Sequence, residues 1–382
     1  MWFSISKRML ALGGTIAAGL LLAGPLAHAN DKTPVTFGFV TPTSTSWGED
    51  VMRGVDLAVK EINASGGIDG HPVKIVTYDD QNKPEEGASA VERLITRDKV
   101  KIVMGSFTSS SSMAQQAVTK RYGKLHIVSF AQADSVRDAS HPLAFFLNAT
   151  VGMNMSAYLK YVAKKFDPKR LVVFADQSDY GESSIAAVKS NYGKPGDPEL
   201  VGVERFDGKQ MDLSPQLTKI RGLKPDAVLI AADSGEKVSN ALTQMHQLGV
   251  PGMRLTVPGI LSESFVKLTG AAGEGMINGD FYYFKQDNPT NLAFVKNFRA
   301  AYKYAPSKLE LIGYESVELG AQVVRKAGVD ADDEAMAKVL RDTTWTTPRG
   351  DWTFVPMGKA YQAAINNFTL LTVKNGEIVP VK

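Results

Sequence analysis

Three observations predict an α/β fold built as two doubly wound parallel-sheet lobes. Apolar β runs alternate with stretches of helical periodicity along nearly the whole chain, the alternation restarts near Asn148, and 382 residues exceed what one small core usually organises. In sheets of this kind ligands gather outside the carboxyl ends of the strands, so the polar turns that follow strands are where function is sought.

The first strand is VTFGFV at residues 35–40, followed by a turn at 41–46 and a helix whose Val51, Val55, Ala58, Val59 and Ile62 recur at helical spacing. Gly66 and Gly67 end that helix, a strand at 73–78 follows, and Pro84 opens a helix through Ile95. Val100, Ile102 and Val103 read as a short buried strand that breaks at Gly105 into a serine-rich turn, with a helix after it carrying Met113, Ala114, Ala117 and Val118. Residues 125–130 form the next strand, 131–142 a loop, and 143–147 a further apolar run.

The second half repeats the rhythm. A helix at 153–166 leads to a strand at 171–175, and Asp179-Tyr180-Gly181 opens another helix. Strands at 200–203 and 227–231 alternate with helices at 213–223 and 238–248, so that residues 224–257 parallel residues 99–130 in order. Helices at 291–304, 312–327 and 335–341 and β runs at 352–355 and 368–373 complete the chain. The polar turns fall at 41–47, 106–112 and 131–134 in the first half and at 176–180, 233–236 and 258–263 in the second.

Composition removes several classes. Forty-three Lys and Arg against forty Asp and Glu leave no basic excess for a nucleic-acid partner. Lys7 and Arg8, an apolar run at 9–22 and Ala27-His28-Ala29 read as a cleavable export leader of residues 1–29, with Asn30 as the first mature residue. No other stretch is apolar for long enough to span a bilayer. The absence of cysteine excludes disulfides and a thiol-borne lipid. A soluble, exported monomer is expected.

Enzyme signatures are poor. No G-x-S-x-G elbow or P-loop occurs, the five histidines show no H-x-x-x-H spacing, and neither a metal nor a cofactor is expected. GAAGEG at 270–275 reads as a turn, and Asp79-Asp80 as a solvated turn and helix start. The serines at 109–112 read first as helix caps and, alternatively, as donors that join the unpaired N–H groups of a helix N-terminus to hold a carboxylate or phosphate.

Several phrases together resemble one family: RGVDLAVKEINASGGIDG at 53–70, VTYDDQNKPEEGA at 76–88, DYGES at 179–183, QLGVPG at 247–252, GAAGEGM at 270–276, DNPTNLAFV at 287–295 and YESVELGAQVVRKAG at 314–328. Their order and spacing are similar to the solute-binding proteins of branched-chain amino acid ABC transporters, with the type I periplasmic binding fold. The resemblance implies two lobes joined by a three-strand hinge, a ligand enclosed as the lobes close, delivery to a membrane permease, and no catalysis. Lobe 1 would comprise residues 31–149 plus 282–362 and lobe 2 residues 150–281 plus 363–382.

Carried over position by position, the resemblance makes Ser109 the hydroxyl that holds a ligand carboxylate and Ala131 a backbone N–H donor beside it. Ala133 stands where a threonine would assist, so only its backbone N–H remains. Trp47 would wall the pocket and Tyr180 would close it from lobe 2. Phe107, Phe130 and Gln132 are further lining candidates, the phenylalanines reading equally as core. The ammonium half departs from the pattern: Asp233 replaces a tyrosine and Gly259 replaces the acid, leaving Asp233 or Glu263 to supply a negative charge or to be solvated turn acids. A disulfide common among relatives is replaced by Asn82 and Thr108, which leaves the loop near Ser109 tethered by packing alone. The reading is therefore a small-carboxylate binder, leaning towards an amino acid, with an aromatic or other non-amino acid as the alternative and an exported enzyme or sensor domain behind them.

Overall fold

The computed structural model describes residues 32–192, 197–365 and 368–382. The expected leader, residues 1–29, lies outside them. In chain order the first elements are β1 (Val35–Val40), α1 (Ser46–Ala64), β2 (Val73–Tyr78), α2 (Pro84–Thr96), β3 (Val103–Gly105), α3 (Ser109–Tyr122), β4 (His126–Val128), α4 (Asp134–Asp138) and β5 (Ala144–Phe146). The second run is α5 (Val151–Phe166), β6 (Arg170–Asp176), α6 (Asp179–Asn191), β7 (Glu199–Phe206), α7 (Ser214–Gly222), β8 (Ala227–Ala231), α8 (Gly235–Gln247), β9 (Met253–Thr256), α9 (Glu263–Thr269) and β10 (Ile277–Asp280). Then come α10 (Pro289–Tyr302), α11 (Lys308–Ala327), α12 (Asp333–Asp342), β11 (Trp345–Thr347), β12 (Gly350–Trp352), β13 (Phe354–Met357), β14 (Ala360–Ala363), β15 (Thr369–Lys374) and β16 (Glu377–Pro380).

Two seven-stranded sheets result, ordered β13-β14-β5-β4-β3-β1-β2 and β16-β15-β10-β9-β8-β6-β7. Each strand of one has its counterpart in the other, which is the physical content of the repeat seen between residues 99–130 and 224–257. In the first sheet six strands run parallel, β14 beside β5 included, with β13 antiparallel at the edge; in the second, five run parallel and β15 and β16 are added as an antiparallel hairpin whose β15 runs antiparallel to β10. The chain passes between the sheets after β5, after β10 and after β14. Among the described residues no helix is long and apolar enough to cross a membrane.

Helix α1 begins at Thr45, whose hydroxyl accepts the Gly48 N–H at 3.1 Å, and lies against α11. Two glycines allow that close approach: a Cβ on Gly54 would stand 1.8 Å from the Glu310 carbonyl oxygen, and one on Gly313 2.2 Å from that of Val51. The contact fixes the N-terminal ends of both helices, which carry Trp47 and Lys308.

Three local expectations change. The loop at 131–142 contains the short helix α4, whose Arg137 is buried and donates to the carbonyls of Ala131 and Asn148, both at 2.6 Å, and to Gln362 Oε1 at 2.9 Å. Burial pushes the Arg137 guanidinium down to about 9, against the opposing pull of Asp134. Asp80 is buried, not solvated, and accepts the Ser111 hydroxyl at 2.6 Å, so the serine loop is tethered to the turn after β2 by a hydrogen bond as well as by packing. Helix α11 starts at Lys308, four residues before the expected 312, because Ser307 and Glu310 form a capping box.

Candidate functional site

The N-terminus of α3 is built by Thr108, whose side chain accepts the Ser111 N–H at 3.4 Å. Its serines then take separate partners. Ser111 turns to Asp80, Ser110 donates to Asp179 Oδ2 of α6 at 2.6 Å, and Ser109 accepts the Ala133 N–H at 3.1 Å and the Gln132 N–H at 3.4 Å. With its oxygen already accepting, Ser109 has its O–H left to donate. The backbone N–H groups of Ser109, Ser110 and Ala131 also make no hydrogen bond among the described residues. Together with the partial positive charge of the helix end, these donors suit an anion.

The cavity at this point is narrow, about 40 Å³ in volume. Trp47, Phe107, Ser109, Phe130, Gln132, Tyr180, Asp233 and Gly259 all line it, so most of the sequence-derived candidates meet in one place. Three rings form a continuous wall: Trp47 and Phe107 have centroids 5.6 Å apart, and Phe107 stacks on Phe130 at 5.0 Å. Trp47 also reaches Phe265 of α9 at 5.8 Å. Its buried indole N–H has no partner among the described residues. Tyr180, in the first turn of α6, presents a hydroxyl whose ionisation is pushed up by burial and by the charges of Asp176, Asp233 and Asp280.

Other candidates stand elsewhere. Ala131 and Ala133 are buried behind the wall and do not line the cavity; the Ala133 N–H serves Ser109 itself. Glu263 is also outside it, in the first turn of α9, where it pairs with Lys267 at 2.6 Å and borders a separate depression. The i, i+4 lysine draws it along its own helix surface.

Asp233 lines the cavity but its charge is committed. Lys237 Nζ lies 2.5 Å from Asp233 Oδ1 and 2.8 Å from Asp176 Oδ2. Burial, then Asp176, raises the Asp233 carboxyl to about 6, with Lys237 opposing both. Sequence reasoning missed the apolar lining residues Ala232, Ile260 and Leu309 and one charged one, Lys308. The signal was the Ser307-x-x-Glu310 capping box, which moves the helix start upstream and brings residue 308 into its first turn.

The lobes touch around this cavity through serine–carboxylate pairs: Ser110 with Asp179, Ser46 Oγ with Glu236 Oε1 at 3.1 Å, and Ser264 Oγ with Asp50. Among the described residues no cluster of three or more acids or histidines is placed to hold a metal ion.

Two sheets of matching order with an anion-suited cavity between them define a two-lobed solute-binding protein. A family model described as periplasmic binding protein matches residues 34–377, and this chain belongs to that family. It is 28% identical over 324 residues to the leucine-, isoleucine-, valine-, threonine- and alanine-binding protein of Pseudomonas aeruginosa, covering 84% of this chain and 85% of that one. It is 26% identical over 359 residues to a Leu/Ile/Val-binding protein homologue of Brucella suis, covering 90% and 92%. Among solved structures, the substrate-binding protein LivJ of Streptococcus pneumoniae in complex with isoleucine superposes with a TM-score of 0.80 at 24% identity, over 92% of this chain and all of that one. A solute-binding protein of R. palustris in complex with benzoate superposes with a TM-score of 0.81 at 24% identity, over 91% and 95%. At these identities the structural likenesses define the fold.

Proposed function

We propose that this protein captures a small carboxylate-bearing solute, an amino acid or related acid, between its lobes and delivers it to the membrane permease of an ABC importer. The observation that carries the reading is the meeting of Ser109, the free N–H groups of α3 and the Trp47–Phe107–Phe130 wall on one cavity. The helix end and hydroxyl would hold the carboxylate, the rings would pack the body, and Tyr180 would cover it from the opposite lobe. Relatives named for leucine, isoleucine and valine support an amino acid, and the benzoate complex supports an aromatic acid as the second reading. We assign no catalytic role, since Ser109 takes two backbone N–H groups and has no base beside it among the described residues.

The lobes are taken as residues 31–149 plus 282–362 and 150–281 plus 363–382, moving as two bodies. Small-angle scattering is expected to show a modest fall in radius of gyration when a bound acid is added to ligand-stripped protein. An unchanged profile at saturation contradicts closure. The leader at 1–29 is expected to be removed in the periplasm, so mass spectrometry of protein from its host should find Asn30 at the N-terminus. An intact Met1 in the membrane fraction contradicts export of a soluble product.

The reading is tested by a thermal-shift screen of amino acids and of aliphatic and aromatic acids, since a ligand that binds the folded state raises its melting temperature. Stabilisation by carboxylates but not by the matching amides or esters is expected. Equal stabilisation by the uncharged analogues contradicts it.

A further inference from the structure

The cavity holds a cation that the reading above leaves without a task. Lys308 lines it beside Ser109, Tyr180 and Asp233, yet its side chain is only 3% exposed. Its Nζ carries three donors, and its one ionic partner among the described residues, Asp280 Oδ1 at 3.5 Å, engages at most one of them. A buried ammonium with donors to spare is costly unless acceptors are brought to it.

Space for that ammonium is made at Gly259. A Cβ there would stand 1.9 Å from Lys308 Nζ, and the residue's φ of +89° is one that side chains rarely adopt. Glycine and lysine therefore form one arrangement, a notch filled by a positive charge. Asp233, the one acid lining the cavity among the described residues, shares Lys237 with Asp176, while the N-terminal ends of α3, α6, α8 and α11 contribute lining residues or their immediate neighbours, each with a partial positive charge.

We propose that Lys308 is a ligand-binding residue that donates to a second oxygen acceptor on the solute, in addition to the carboxylate held at Ser109. The site then takes oxo, hydroxy or dicarboxylic acids in preference to plain acids, and takes an amino acid less readily than its oxo counterpart. This deepens the carboxylate reading and rests on it.

The test is isothermal titration of the mature protein with acids matched in skeleton. The series 4-methylpentanoate, 2-oxo-4-methylpentanoate and leucine varies the carbon next to the carboxylate; benzoate, 4-hydroxybenzoate and terephthalate vary the far end. In one series the oxygen-bearing acid is expected to bind about ten-fold or more tightly than the plain acid, and leucine to bind more weakly than its oxo counterpart. Which series responds locates the second oxygen. Lys308→Met should erase the advantage while leaving the plain acid within about three-fold of the parent value. Lys308→Met combined with Asp280→Asn removes both buried charges and should give the same loss of selectivity in a folded protein.

Several results overturn the proposal: plain and oxygen-bearing acids bound alike in both series, leucine bound as tightly as the oxo acid, oxygen-bearing acids not bound at all, or Lys308→Met weakening every acid equally. Failure of the carboxylate reading has a different signature, with Ser109→Ala leaving the affinity of every bound acid at the parent value.

Discussion

Ser109→Ala is expected to weaken a carboxylate ligand by about 1.5–3 kcal/mol, a loss of roughly ten-fold or more in affinity. The Ser109 side chain is almost fully buried, and its oxygen is held in place by the Ala133 N–H at 3.1 Å, so the hydroxyl is aimed before any ligand arrives. What the substitution removes is a charge-assisted hydrogen bond from a preorganised donor. The helix end and the neighbouring N–H groups remain, which is why binding should weaken without disappearing. Titration of parent and variant with the same acid checks it. Ser110→Ala serves as contrast: that hydroxyl is spent on Asp179 at 2.6 Å, so its loss should alter closure more than the hold on the carboxylate.

The largest effect on stability is expected from Glu315→Ala, at about 3–5 kcal/mol. Glu315 and Arg349 form a bidentate pair in which the side chains are 2% and 1% exposed. Arg349 also donates to the Leu147 carbonyl at 2.9 Å, beside the first passage between the sheets. Removing the carboxylate takes from a buried guanidinium the charge partner that Glu315 supplies, whereas replacing both partners with methionine removes both desolvation costs. The pair Glu315→Met and Arg349→Met together should therefore cost less than Glu315→Ala alone. Urea unfolding monitored by circular dichroism reads the difference. A single-substitution cost below about 1 kcal/mol contradicts the reading of these two side chains as a mutually dependent buried pair.

The fold was legible in the sequence because parallel strands buried on both faces read as apolar runs, such as LVVFA and AVLIA, separated by helical periodicity. The turns that carry Trp47, Ser109 and Tyr180 were legible because a doubly wound topology brings the segments after strands to one edge, and the family resemblance picked out these three residues within them. Lys308 was not, since apolar spacing dated its helix from Ile312 and nothing in a lysine's type foretells burial. Asp80 failed for the same reason in reverse: paired acids look solvated until a distant serine supplies the hydrogen bond that makes burial tolerable. Glu263 and Asp233 were read as free charges, but each has a lysine one helical turn away that only the observed helix starts bring into register.

The most direct test of carboxylate capture between the lobes is a crystal structure of the protein with the acid that stabilises it most. The account predicts a carboxylate within hydrogen-bond distance of Ser109 Oγ and the Ser109 N–H at the start of α3, its body against Trp47 and Phe107, and Tyr180 closing over it. A ligand seated elsewhere, or one whose uncharged end meets Ser109, would contradict it.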